Sequence, residues 1–253
     1  MGRKKLAALG ASGLLALCAL SSPFAQGEVS QKDGVRVTVN ASLAPKRLPR
    51  RGTAPVSVSV AGQISPLGKG SLPQLRTMQI ELNSAGKLDF KGIPHCRINH
   101  INPSTDTEAM EACGDSLIGE GNFSANVLLP EQSPFPSEGE LLAFNGQIGR
   151  RPAIFAHIYG TKPLPTSYVF AFRMRRAKGT FGSVLEASFP KATGEWGYIT
   201  AISLKLNKRL VRAGCPAPRG LTRVPFPLAR TSFDFDGGLS ITNTLTRSCE
   251  AEG

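Results

Sequence analysis

The chain has 253 residues, 41% of them hydrophobic and 19% charged, with a formal net charge of +12. That length can bury a real core, as one large domain or two small ones. One Trp and three Tyr are few aromatics, which weighs against a nucleic-acid reader and against a sugar-stacking groove.

Arg3, Lys4 and Lys5 precede an apolar run from Leu6 to Leu20 and then small residues. This pattern reads as a secretory signal peptide over residues 1–25, cleaved after Ser21 or after Ala25. The run is shorter than the ~20 residues a membrane span needs, so no transmembrane segment is expected in the mature chain. Cys18 invites a lipoprotein reading, but Leu17 stands where such signals carry a small residue, and lipidation is not expected. Export leaves Cys96, Cys113, Cys215 and Cys249 in an oxidising compartment, where an even count reads as a disulfide framework. Three pairings are possible; the expected one joins neighbours, 96–113 and 215–249.

Residues 26–54 read as a polar N-terminal segment with a first strand at 35–43 and a Pro/Arg-rich connector. Residues 55–253 read as a β-sandwich domain. Within it VSVSVAGQIS at 56–65 alternates cleanly and is a strand. LRTMQIELN at 75–83 is expected to return through the turn SAGK into KLDF at 87–90.

The stretch from Gly92 to Gly121 holds the one good helix signal. Thr105 and Glu108 have capping-box spacing, Pro103 suits an early helical position, and Gly114 suits a left-handed stop. A helix over 103–113 follows. So short a helix is marginal alone, and a Cys96–Cys113 bond would pin it. Closing a loop of that size contributes about 3 kcal/mol in the chain-entropy model.

Further strands are expected at 120–130, 141–149, 153–161, 167–177, 183–190 and 198–207. The segments at 141–149 and 153–161 should pair. Pro225 and Pro227 confine their segment to a sheet edge or bulge. The proline-rich stretch 131–139 is the best candidate sub-boundary. About a dozen short strands and one helix fit an all-β, antiparallel β-sandwich, with two packed lobes as the alternative.

GIPHC…EACGDSLIGEG, ELLAFNG, AIFAHIYG, ASFPKATGEWGYITAISLKL and CP…FDFDGG…C stand in this order over roughly 55–249. In this the chain resembles a family of exported all-β proteins from high-GC actinobacteria, although it carries arginine where that pattern has lysine. The resemblance implies export, β-structure and the two neighbouring cysteine pairs. It implies no activity, ligand or catalytic residue.

The chemistry-bearing residues are sparse. His95 and His100 flank Cys96, and His157 alternates with Phe155 and Tyr159. A satisfied or exposed imidazole is the ordinary reading; the sharper one joins a histidine to Asp115 or Glu120 as an acid/base group. Glu81, Asp89, Glu140, Glu186 and Glu195 are carboxylates from which a glycosidase pair would have to come. His157 and Glu186 are the catalytic candidates. No G-x-S-x-G, zinc-ligand spacing or calcium-loop spacing is present, FDFDGG at 233–238 included. No cofactor or metal is expected.

Basic runs at 48–51, 173–176 and 205–212 suggest anionic cell-wall or surface polymers as partners, rather than nucleic acid. The expectation is a secreted or cell-envelope protein with a non-enzymatic binding or structural role. An extracellular glycan or ester hydrolase is the alternative, and an adhesion or assembly module a third reading.

Overall fold

The computed structural model describes residues 27–69, 72–128, 134–162, 164–189 and 197–252. The expected leader, Cys18, Glu195 and Trp196 lie outside these residues. The strands are β1 (Glu28–Lys32), β2 (Val35–Ala44), β3 (Arg47–Pro49), β4 (Ala54–Pro55), β5 (Ser57–Pro66), β6 (Leu75–Asn83), β7 (Gly86–Leu88), β8 (Leu117–Val127), β9 (Phe135–Ile148), β10 (Arg151–Gly160), β11 (Thr166–Arg176), β12 (Phe181–Ser188), β13 (Gly197–Leu206), β14 (Val211–Ala213), β15 (Arg223–Phe235) and β16 (Ser240–Glu252). The helix α1 (Asp106–Cys113) lies between β7 and β8.

Alternation makes these strands. In β2, Val35, Val37, Val39, Ala41 and Leu43 are buried and the residues between them are not. A period of two sends that set to one face. Ile241, Asn243 and Leu245 of β16 behave in the same way.

Thirteen strands form one sheet, in the order β1-β2-β5-β13-β8-β9-β10-β11-β12-β6-β15-β16-β3, and β4, β14 and β7 form a small second one. β16 and β3 run parallel, so the large sheet is mixed. The described residues are therefore mostly β with one short α-helix, but the hydrogen bonding does not divide the main strands between two sheets. The sheet curls instead, because twist accumulates over so many strands. Its first strands return to β16. The Ser30 hydroxyl of β1 donates to Asn243 Oδ1 at 2.6 Å, and Arg247 of β16 donates to Glu28 at 2.6 Å, to Asn40 Oδ1 at 2.7 Å and to Ala41 O at 2.5 Å.

The inward face carries one core. Val37, Leu141, Ile158, Phe170, Phe233 and Leu245 belong to it. A second cluster adjoins it around Leu48, Val56, Leu210 and the Cys215–Cys249 disulfide. The other disulfide is Cys96–Cys113, so the cysteines pair with their neighbours. Such bonds persist where the surroundings are oxidising. Among the described residues no helix is long and apolar enough to cross a membrane.

Several local expectations change. The Asp33-Gly34 turn, with both residues at positive φ, is a two-residue hairpin that adds β1 ahead of the expected first strand. KLDF does not return along β6: its first residues form β7, which pairs with β14. Residues 135–139, expected to be loop, open β9 and pair with β8. Pro225 and Pro227 lie where β15 has β16 on one side and no pairing with β6, next to a bulge at Pro227/Ala229, as their missing N–H groups require.

Close backbone approach explains two glycines. A Cβ on Gly121 would lie 1.8 Å from Ser203 O, and one on Gly139 would lie 2.1 Å from Tyr159 O. Gly121→Ala must push β8 away from β13, and we expect a loss of at least about 1–3 kcal/mol. Gly62→Ala, whose Cβ meets nothing within 4 Å, should stay within about 0.5 kcal/mol of wild type. Urea midpoints of the two variants check this; equal midpoints would refute it.

Candidate functional site

The segment before α1 and the helix itself cover the outer face of β9 and β10. Both faces of these strands are consequently buried: Ile154, Ala156 and Ile158 point inward, while Ala153, Phe155 and His157 meet the helix layer. The Thr105–Glu108 capping box forms as its spacing implies, with Glu108 N donating to Thr105 Oγ1 at 3.2 Å and Thr105 N to Glu108 Oε2 at 2.8 Å. Hydrogen bonds from the Thr105 N–H and then its hydroxyl to the Glu108 carboxylate hold that carboxyl below its usual range. The helix nevertheless starts at Asp106, three residues later than expected, and Pro103 precedes it in a cis peptide bond with Asn102. Gly114 is right-handed and leads into a 3₁₀ turn, so it does not act as a left-handed stop.

His157 is fully buried beneath this layer. Its Nε2 lies 3.0 Å from Ser104 O and 3.2 Å from Ser104 Oγ, and its Nδ1 lies 3.4 Å from Asp106 Oδ1. A serine, a histidine and an aspartate thus touch in sequence. The imidazole, however, faces the main-chain carbonyl of that same serine, and Ser104 is 9% exposed. The nearby surface depression is lined by Asp106, Thr107, Met110, Glu111 and Glu140 and does not include Ser104. The contacts act as a clasp that fixes the start of α1 to β10.

The acidic partner of His157 is Asp106, not Asp115, exposed in the turn after α1, or Glu120, exposed on β8. Its local signal was visible only as the first residue after an N-cap. Glu186 is not brought to His157: β11 lies between their strands, and the two meet it at Arg173 and Val169 respectively. His95 and His100 are exposed. Glu81 is paired with Arg230, and Asp236 of the FDFDGG turn is paired with Arg76. The basic runs are partly consumed inside the fold. Arg50 donates to the carbonyls of Ala217, Pro218 and Leu221, and Arg212 to Thr53 O.

The feature sequence reasoning missed is the interior. The curl is wider than its inward side chains can fill. Val58, Val60, Ile80, Ile202 and Leu204 face inward yet remain half-buried. Between them lies a cavity of about 150 Å³, lined almost wholly by apolar atoms of β2, β5, β6, β13, β15 and β16. A second chamber of about 310 Å³ shares Ile64, Leu75 and Ile199 with the first. Its walls include Phe123, Phe170, Tyr168 and Tyr198 together with Asn126 and Lys162. The Asn126 amide donates to the Tyr198 hydroxyl at 3.2 Å, so this rim is polar and ordered by its own contacts. Among the described residues no group of three or more His, Cys, Asp or Glu side chains is placed to hold a metal ion.

Burial raises the Asp106 carboxyl above the usual 3.8, against the opposing attraction of His157. A carboxyl raised on folding contributes stability below its unfolded pKa and loses it as pH rises through the folded one. The stability advantage of wild type over Asp106→Asn should therefore shrink from pH 3 to pH 7. Urea midpoints at the two pH values decide this; an advantage that grows with pH would reverse the assignment.

No protein-family model and no curated protein matches the chain. One solved structure, described as "AvmM Catalyzes Macrocyclization in Alchivemycin A Biosynthesis", aligns with it at 8% identity. The alignment covers 90% of this chain and 97% of that one, with a TM-score of 0.25. A score so low carries no argument about fold or function.

Proposed function

We propose that this is an extracytoplasmic, non-enzymatic binding protein that holds a small apolar molecule inside its curled sheet. The observation that carries the reading is the apolar inner cavity, which shares the lining residues Ile64, Leu75 and Ile199 with a second, more polar chamber. An apolar space of about 150 Å³ is large enough to accept a small ring or short alkyl chain. Ligand sites typically combine such apolar walls with a few polar groups at one end. The two disulfides and the expected leader support an exported setting. In that setting the curled sheet acts as the functional counterpart of the sandwich expected from the strand pattern.

The hydrolase alternative has less support. His157 and Glu186 stand apart, and the serine beside His157 is part of a clasp rather than the wall of a chamber. The electrostatic reading is weakened because Arg50 and Arg212 spend their donors on backbone carbonyls of the fold.

Displacement of an environment-sensitive apolar dye by small hydrocarbons tests the proposal. Wild type should bind one dye saturably. Ile202→Phe, which fills the inner chamber, should weaken binding at least tenfold while leaving the urea midpoint unchanged or raised. Absence of saturable binding, or equal binding by the filled variant, would sink the reading.

A further inference from the structure

The inner chamber is walled mostly by apolar atoms, with Gln63, Asn83, Lys87, Thr200, Arg212 and Thr231 among its lining residues. Thr231 of β15 and Asn243 of β16 are directly opposed in the ladder, so their side chains leave the same face. That face is the inner one, because Ala229, Phe233, Ile241 and Leu245 flank the pair within the core. Thr231 is 6% and Asn243 3% exposed. Neither Thr231 Oγ1 nor Asn243 Nδ2 has a hydrogen-bond partner in the protein. The Ser30 hydroxyl takes Asn243 Oδ1, which leaves the amide N–H groups as the free side. On the outer face of the same two strands, by contrast, Ser232 and Thr242 hydrogen-bond each other at 3.1 Å.

A buried donor left without an acceptor costs about 1–3 kcal/mol. Two such donors on adjacent strands, one of them lining the cavity, are therefore a poor way to build a purely structural core. One acceptor oxygen placed between them would satisfy both. A carboxylate does not suit the place, since a buried charge needs a counter-charge. The cations that line this chamber, Lys87 and Arg212, belong to the small β4-β14-β7 sheet, and Arg212 is already bound to Thr53.

We propose that the ligand of the inner chamber is a neutral, mostly hydrocarbon molecule bearing one carbonyl or hydroxyl oxygen, which accepts hydrogen bonds from Thr231 and Asn243. This rests on the cavity being a binding site and specifies the chemistry that it selects. Thr231 then acts as the group that distinguishes an oxygenated ligand from a plain hydrocarbon of the same shape.

Cyclohexanone and methylcyclohexane, matched in size, are the probes, each displacing the apolar dye from wild type, Thr231→Val and Thr231→Ser. Valine keeps the shape of threonine and removes a buried hydroxyl, so this variant should fold at least as stably as wild type. It should weaken cyclohexanone about three- to tenfold and leave methylcyclohexane unchanged, and Thr231→Ser should retain ketone binding. If both probes bind and Thr231→Val shifts them equally or not at all, the polar pair holds only water and this inference fails while the binding site stands. If neither probe binds wild type, both fail.

Discussion

The structure depends on one constraint: a single long sheet must bury one face of nearly every strand against itself. Twist turns the sheet, and the seam is reached where β1 and β2 meet β16. Arg247 is the fastener there. Its guanidinium serves Glu28, Asn40 and a main-chain carbonyl of β2 together, and only the planar five-donor group of arginine can serve three acceptors in that way. The seam is made by side chains, which lets the roll settle at a width set by the strand count and not by core volume. The inner chamber is the direct result. Val58 and Val60 on β5 and Ile199 and Ile202 on β13 line it and stay half-buried.

The other side of the molecule solves a different problem. β9 and β10 are apolar on both faces, which a sheet exposed to water on one side does not tolerate. A cover is needed, and α1 with the segment before it supplies one. Eight residues cannot hold as a helix unaided, so three fixings act together: the capping box at its start, the Cys96–Cys113 bond at its end, and His157 gripping Ser104 and Asp106 from below. Asn145 holds the approach, donating to the carbonyls of Ile93 and Pro94 at 2.9 Å each. The buried histidine is thus explained by the cover it anchors, and its polar contacts belong to the architecture.

The two faces of β15 and β16 differ in how their polar side chains are satisfied. Outward, Ser232 and Thr242 satisfy each other. Inward, Thr231 Oγ1 and Asn243 Nδ2 are buried without a partner, and Thr231 lines the chamber. Residues of the same types, one position along, carry different meanings because the sheet has two sides.

Much of the architecture was legible from local pattern. Alternation in VSVSVAGQIS and VRVTVNASL, the pairing of 141–149 with 153–161, the Thr105–Glu108 spacing and the prolines of β15 each act over a few residues, and each found its expected place. The Asp33-Gly34 hairpin is equally local, but the strand before it, EVSQK, is short and polar and carries little hydrophobic pattern. KLDF went the other way: Asn83 receives Ala85 N and turns the chain out of the sheet, so the partner of β7 comes from 211–213, far along the sequence.

By itself, then, the sequence determined which residues alternate, where turns fall and which cysteines lie within reach of one another, since all of these follow from short-range sterics and spacing. Only the tertiary structure decided that the strands join one sheet, that His157 meets Asp106, and that Thr231 and Asn243 share the inner face of the sheet. Those facts depend on register and curl. Both are sums over many strands, and no single segment of the chain encodes them.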